Sequence, residues 1–201
     1  KVKGSNDLEP WVKKILHSSD IMKDIISSIL TKGRSDNTLL ETEVDLNEIL
    51  RVQIDILNAN SFFKNFVKLE MNLGDIPNIR GIYTHFSQSL GNITNNAVDA
   101  MYDSPEKILS ISTYYLDKKI IIEIKDTGCG IPKENLTKIY DPFFTTKPLN
   151  SDSQRPSGTG LGMSSCKQML DAYKYEIEIE SEVNKGTLFR ILLPVTMNAI
   201  V

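Results

Sequence analysis

The sequence is poor in the residues that build metal centres and disulfide frameworks. Its 201 residues include two cysteines and two histidines, and neither Cys129 nor Cys166 belongs to a CxxC pair or a Cys/His ligand spacing. A zinc site is therefore not expected, and a reducing, cytoplasmic setting is the simpler expectation. No apolar run reaches the ~18 residues of a membrane span, and no signal peptide is visible. Because the chain starts at Lys1 rather than Met, the sequence leaves open whether sensor or membrane segments lie upstream.

The sequence also lacks a strong charge of either sign. Its 23 Lys and Arg residues stand against 26 Asp and Glu residues, which gives a formal net charge of -3. This balance offers no electrostatic reason to expect nucleic acid or an acidic membrane surface as a partner. Hydrophobic residues make up 40% of the chain, enough for a core of normal size in one or two domains.

The N-terminal part of the chain predicts an amphipathic helix over residues 8–32. Apolar residues such as Trp11, Ile15, Met22 and Ile29 recur there at helical spacing. This wide apolar stripe needs a partner, which is either the rest of the chain or a helical-bundle seam between two chains. The polar residues 33–41 that follow predict a linker.

The remaining chain alternates helical and strand patterns. These predict helices over residues 46–58, 82–101, 132–139 and 161–172, and strands over 67–73, 107–116, 119–125, 175–182 and 186–193. Asp117 and Lys118 predict a tight hairpin turn, and residues 145–159, rich in Ser, Pro and Gly, predict a mobile loop. The order indicates an α+β fold: a two-layer sandwich with a mixed, mostly antiparallel sheet and helices on one face.

Two asparagines form the first candidate site. Asn92 and Asn96 are four residues apart and share one face of the strongest predicted helix. Asn is a poor helix former, so its use here costs stability unless the side chains have a task. An amide oxygen is a good ligand for Mg²⁺. Taken alone, the pair is explained equally well by an exposed polar face.

Two glycine-rich segments form the other candidate sites. Asp126 ends an isoleucine-rich strand just before Gly128 and Gly130, and its carboxylate can accept a hydrogen bond from an amino group such as that of adenine. A plain glycine turn is the simpler interpretation of this segment alone. The second segment, residues 158–162, opens a predicted helix whose first N–H groups suit phosphate. It is neither a P-loop nor a dinucleotide fingerprint.

Together and in this order, the segments resemble the sequence boxes of sensor histidine kinases. The N box is matched by Asn92 and Asn96, the G1 box by Asp126, Gly128 and Gly130, the F box by Phe143 and Phe144, and the G2 box by Gly158, Gly160 and Gly162. The wider group is the gyrase, chaperone, kinase and mismatch-repair ATPase superfamily, whose Bergerat-type fold agrees with the sandwich expected above. The resemblance covers residues 42–195.

The resemblance implies an ATP site with Mg²⁺. Asn96 would hold the metal that bridges the phosphates and Asn92 would support the phosphates, which makes these two the expected catalytic residues. Asp126 would bind the adenine amino group, and Phe143 and Phe144 would anchor a lid. The expected ATP-binding set is Asn92, Asn96, Asp126, Gly128, Gly130, Ile131, Phe144, Lys147, Gly158, Thr159, Gly160, Leu161, Gly162 and Thr187.

The charged residues near these boxes leave the phosphate contacts open. Lys147 and Arg155 are the candidate lid cations, and a solvated role is equally open for either. The sequence departs from the family pattern at Asp99, where many relatives carry a lysine that reaches phosphate, and Asp103 follows on the same helix. Phosphate affinity is therefore expected to depend on the lid and the metal.

Asn92 favours a kinase over a hydrolase. The resemblance implies that the hydrolysing branches carry a Glu at this position to polarise water, and an amide cannot act as that base. Phosphoryl transfer depends mainly on positioning and charge neutralisation, so a histidine supplied from outside would suffice, with relay to a response-regulator receiver domain. The alternatives are a gyrase- or chaperone-type ATP hydrolase and a non-catalytic nucleotide-sensing module.

Neither histidine fits the phospho-accepting residue of such kinases. His85 begins the helix of Asn96 and is expected to be a packing or surface residue. His17 is followed by Ser18 and Ser19 rather than by the acidic residue and nearby proline of kinase acceptors. We therefore expect residues 1–35 to be the second helix of a dimerisation hairpin, 36–41 a linker and 42–198 the catalytic ATP-binding domain. The acceptor would lie upstream of Lys1, and the intact kinase would be a homodimer through the helix.

Overall fold

A layer of helices covers one face of a five-stranded sheet in the computed structural model, which describes residues 40–147 and 158–195. The helices are α1 (Leu46–Asn58), α2 (Ser61–Phe66), α3 (Tyr83–Ala100), α4 (Lys133–Leu136) and α5 (Gly162–Leu170), which continues as a 3₁₀ turn over Asp171–Tyr173. The strands are β1 (Thr42–Val44), β2 (Lys68–Leu73), β3 (Ile79–Gly81), β4 (Ile108–Leu116), β5 (Lys119–Asp126), β6 (Glu176–Glu182) and β7 (Gly186–Pro194).

The large sheet is mixed and mostly antiparallel, as predicted. Its strand order is β2-β4-β5-β7-β6, with β2 parallel to β4 and every other pair antiparallel. The parallel pair follows from the long connection through α3, which lets the chain return in the same direction. Asp117 and Lys118 join β4 to β5 with φ values of 50° and 63°, the conformation that a two-residue hairpin turn requires.

Alternating side chains along the strands produce the core. In β5, Ile120, Ile122 and Ile124 point to the helices and are at most 1% exposed. Leu90 and Ile93 of α3 meet this face and are also buried. The prediction of helices on one face is thus confirmed. Among residues 40–147 and 158–195, no helix is long and apolar enough to cross a membrane.

Several short elements of the fold were not predicted from the sequence. The strands β1 and β3 pair with each other in a separate two-stranded sheet, and three residues carry too little alternation to be seen in advance. Helix α2 was also missed, although Asn60 caps it by accepting from the N–H groups of Phe62 and Phe63. The helix predicted over 132–139 is a single turn, Lys133–Leu136. The predicted helix over 8–32, His17 and Arg155 lie outside the described residues.

Candidate active site

A cavity of about 530 Å³ lies between α3, the connection that follows β5, and the segments on either side of residues 148–157. Most of the predicted ATP-binding residues line this one cavity. They are Asn92, Asn96, Asp126, Gly130, Ile131, Phe144, Lys147, Gly158, Thr159, Gly160, Gly162 and Thr187. Gly128 and Leu161 are not among the lining residues; Leu161 is 7% exposed and immediately precedes α5.

Asp126 places a carboxylate at the buried end of the cavity. It continues the inward-facing side of β5, so its side chain is only 3% exposed. Burial raises the pKa of this carboxyl to about 6, while hydrogen bonds from the backbone N–H groups of Gly128 and Thr187 act in the opposite direction. The Gly128 N–H lies 2.7 Å from Asp126 Oδ1. A further hydrogen-bond donor, such as the amino group of a ligand, would stabilise the ionised form of this buried carboxyl.

Thr187 is fixed beside Asp126 by the sheet and by a hydroxyl network. The two residues are paired across β5 and β7. Thr187 Oγ1 lies 2.9 Å from Ser181 Oγ, which accepts a hydrogen bond from the Ile131 N–H at 2.7 Å. Ser181 was not predicted as part of the site. Its one sequence signal is a small hydroxyl residue on the inward face of the otherwise Glu/Ile-alternating strand β6.

Two glycines allow the backbone turns that close the cavity. Gly130 has a φ of 69°, and a β-carbon there would lie 2.1 Å from the carbonyl oxygen of Glu182. Gly160 has a φ of 71°, and a β-carbon would lie 2.4 Å from the carbonyl carbon of Phe143. No other residue fits either position without a shift of the backbone.

The two asparagines of α3 also line the cavity and contact different partners. The Asn92 side-chain amide donates to the Gly162 carbonyl at 3.1 Å, which ties α3 to the start of α5. Asn96 Oδ1 accepts a hydrogen bond from the Lys147 ammonium at 2.8 Å, and the same ammonium lies 2.6 Å from Asp99 Oδ2. The polar end of the cavity thus combines amide oxygens, a carboxylate and a lysine.

The two phenylalanines of the predicted F box behave differently. Phe144 is half-buried, packs against the core and lines the cavity. Phe143 is 71% exposed, and its role in anchoring the lid stays a prediction. Its contribution comes from the backbone, whose N–H donates to the Gly160 carbonyl at 3.0 Å. This bond holds the segment that precedes residues 148–157 against the segment that follows them.

His85 lies away from this cavity. Its Nδ1 is 3.0 Å from the Tyr173 hydroxyl, and that hydroxyl also accepts a hydrogen bond from the Ile82 N–H. The partial burial of His85 lowers its pKa. The expectation of a packing role is confirmed, because the ring joins the start of α3 to the turn after α5.

Several lining residues were not predicted from the sequence, among them Tyr102, Cys129, Asn135, Met163 and Phe189. Tyr102 extends the α3 face by one turn beyond Asp99, a position that helical spacing could have indicated. The others come from separate segments and meet only in the fold. The apolar members add apolar surface to the cavity, as is usual for ligand sites.

Comparisons with known proteins agree with this geometry. Residues 81–197, more than half of the chain, match the family described as "Histidine kinase-, DNA gyrase B-, and HSP90-like ATPase". The chain belongs to this family. Its ATP-binding catalytic domain is of the histidine kinase type, because the relatives and solved structures that it matches are histidine kinases.

Three matches show how far the likeness extends. Sporulation kinase D of Bacillus subtilis is 40% identical over 98% of this chain, and Sporulation kinase E of the same organism is 33% identical over 89%. The chain spans only 37% and 23% of the lengths of those two proteins. The solved catalytic domain of the histidine kinase ThkA is 28% identical, with a TM-score of 0.62 over 77% of this chain and 95% of that domain.

We predict that Asp126→Asn stabilises the histidine kinase domain in the absence of ligands. The folded-state pKa of about 6 lies above the ordinary 3.8, so the ionised carboxylate costs stability at neutral pH. At pH 7 the free energy of unfolding of the variant should be higher by about 1 to 3 kcal/mol. The amide keeps an oxygen that can accept from Gly128. Denaturant unfolding measures the change.

The pH dependence separates this explanation from a general packing effect. As the pH falls through about 6 towards 3.8, Asp126 becomes protonated, so the stability difference between wild type and Asp126→Asn should shrink towards zero. The exposed Asp75→Asn change serves as a control and should leave stability nearly unchanged at both pH values. An Asp126→Asn difference that stays constant with pH would contradict the assignment.

Proposed function

We propose that this domain binds ATP with Mg²⁺ and transfers the γ-phosphoryl group to a histidine, for relay to an aspartate of a response-regulator receiver domain. The observation that carries the proposal is the set of polar groups that line one cavity. A buried carboxylate, Asp126, is combined there with amide oxygens of α3 and a lysine. ATP has complementary groups, an amino-bearing ring and an anionic chain.

The purine end is assigned to Asp126 and Thr187. The adenine amino group would donate a hydrogen bond to the Asp126 carboxylate. Because this carboxylate is buried, it has fewer hydrogen-bond donors around it than it would have in water. Thr187 would contact the ring through its hydroxyl or through a water. Ile131 supplies an apolar surface next to these polar groups. The arrangement selects a ring with an exocyclic amino group, because an oxygen there would face the carboxylate.

The phosphate end fits a magnesium ion held jointly with a nucleotide. Asn96 offers a hard oxygen ligand of the kind that Mg²⁺ accepts. Within residues 40–147 and 158–195, no group of three or more His, Cys, Asp and Glu side chains could hold a metal alone. A site with few protein ligands suits Mg²⁺, which is commonly bound through one or two side chains and substrate phosphates. Bound there, it would neutralise phosphate charge.

Asn92, which stands where the hydrolysing branches carry a Glu, can help to position a nucleotide but cannot activate water as a base. Asn92 carries an amide, which has no basic group, and its nitrogen donates to Gly162. In the transfer, a nitrogen of the acceptor imidazole would form the bond to the γ-phosphorus while the bond to the β-phosphate oxygen breaks and ADP leaves. This favours a kinase over a gyrase- or chaperone-type hydrolase.

The acceptor is assigned to a histidine other than His17 and His85. His85 is engaged with Tyr173 and does not line the cavity. In keeping with the sequence analysis, we extend the proposal to a homodimer through the N-terminal helix, with this domain in the cytoplasm. A further alternative is a nucleotide-sensing module without turnover. It would bind ATP in the same way as the kinase but would not transfer the γ-phosphoryl group.

Removing the Asn96 amide should abolish the contribution of Mg²⁺ to ATP affinity. We predict that Asn96→Ala weakens ATP binding at least about tenfold in the presence of Mg²⁺, which corresponds to ~1.4 kcal/mol, and leaves binding of adenosine unchanged. Titration calorimetry with and without Mg²⁺ measures both. Gln88→Ala, an exposed amide on the same helix, is the control and should bind as wild type. Unchanged Mg²⁺-dependent affinity in Asn96→Ala would remove the role given to that residue.

The chain by itself should bind Mg²⁺–ATP without becoming labelled. We predict no stable incorporation from γ-labelled ATP and only background release of phosphate, because the acceptor is assigned elsewhere and Asn92 cannot act as a base. Phosphoramidate label on His17 would contradict the placement of the acceptor. Sustained ATP hydrolysis would instead support the hydrolase alternative.

A further inference from the structure

Asp99 is a carboxylate inside the proposed ATP cavity to which the proposed function gives no task. It lies on α3 three residues after Asn96, and its side chain is 29% exposed. Its Oδ2 is 2.6 Å from the Lys147 ammonium, which also contacts Asn96 Oδ1 at 2.8 Å. One ammonium thus joins the expected metal ligand to a neighbouring acid.

A negative charge at this end of the cavity needs a physical reason. An unpaired carboxylate beside a triphosphate would repel it. The pair with Lys147 is also better shielded from water than the other lysine ion pairs of the described residues: the Lys147 side chain is 26% exposed, whereas Lys119, Lys68 and Lys185 are 35%, 68% and 69% exposed. Solvent therefore screens this pair less than an ordinary surface pair.

The local backbone directs Lys147 towards α3. Its N–H donates to Thr145 Oγ1 at 3.1 Å, which holds the turn after Phe144. The lysine stem passes close to Gly158, where a β-carbon would lie 2.9 Å from Lys147 Cδ. The ammonium therefore reaches the helix from a segment that is 48 residues away in sequence, and Asp99 meets it there.

We propose that Asp99 is a positioning residue, which holds the Lys147 ammonium at the phosphate end of the cavity so that it contacts the terminal phosphates of ATP. This rests on the proposed function. A metal on Asn96 Oδ1 and an ammonium on the same oxygen repel each other, so Lys147 has to leave Asn96 when the metal is bound. Asp99, the other partner of the ammonium, keeps it close to the phosphates.

Positioning and plain electrostatics make opposite predictions for Asp99→Asn. If Asp99 were only a nearby negative charge, its removal would strengthen the binding of ATP, because repulsion of the phosphates would fall. If Asp99 positions Lys147, its removal releases the ammonium and weakens the binding of ATP. The substitution is nearly isosteric, so the sign of the change reports the role.

The test is a double-mutant cycle in the full chain, with affinities for ATP, ADP and adenosine measured by calorimetry in the presence of Mg²⁺. We expect Asp99→Asn and Lys147→Met each to bind ATP about five- to tenfold more weakly, and the double variant to bind no more weakly than Lys147→Met alone. Asp99→Glu should recover most of the affinity. Adenosine should bind equally to all variants. Asp55→Asn, on the exposed side of α1, is the matched control.

Several results would overturn the proposal, and they are distinct from a failure of the proposed function. ATP binding that is unchanged or tighter in Asp99→Asn, or effects of the two substitutions that simply add, would show that Asp99 does not act through Lys147. Weaker adenosine binding in Asp99→Asn would show a general structural role and would also overturn the proposal. A wild-type chain that binds adenosine but not ATP, or neither, would instead refute the ATP site itself.

Discussion

The pocket depends on a carboxylate that the fold removes from water. Strand β5 needs apolar side chains on its inner face, and Asp126 continues that face where the strand ends, so it is buried with them. Backbone N–H groups compensate only part of the cost, and the pKa stays raised at about 6. Proteins retain such costly groups where a ligand uses them. In this domain the missing stabilisation is assigned to the amino group of adenine.

In the part of the cavity around Asn96, the charged side chains pair with each other. Helix α3 presents Asn96 and Asp99 on one face, and Lys147 covers both from a distant segment. A triphosphate with its metal would therefore replace existing contacts of Lys147 with new ones. It would not meet an unpaired carboxylate. The same helix is joined to the start of α5 by the hydrogen bond from Asn92 to Gly162, so the helix of Asn96 and the glycine-rich segment are in direct contact.

The sequence allowed prediction of what is local and repeated. Hairpins and long helices follow from spacing over a few positions, and they lie where expected. The box residues came from the family resemblance, and most of those expected to bind ATP line one cavity. Contacts between distant segments could not be predicted from one sequence: the pairing of β1 with β3, the Ser181 network and the Lys147–Asp99 pair each join residues that no local pattern connects. The bond from the Phe143 N–H to the Gly160 carbonyl also has no local signal, since a backbone contact does not depend on the side chain.

A crystal structure with a non-hydrolysable ATP analogue and Mg²⁺ tests most directly whether ATP lies with its purine at Asp126 and its metal at Asn96. We expect the adenine amino group within hydrogen-bond distance of the Asp126 carboxylate and the metal on Asn96 Oδ1. A nucleotide bound in the reverse direction, or outside the cavity between these two residues, would contradict it.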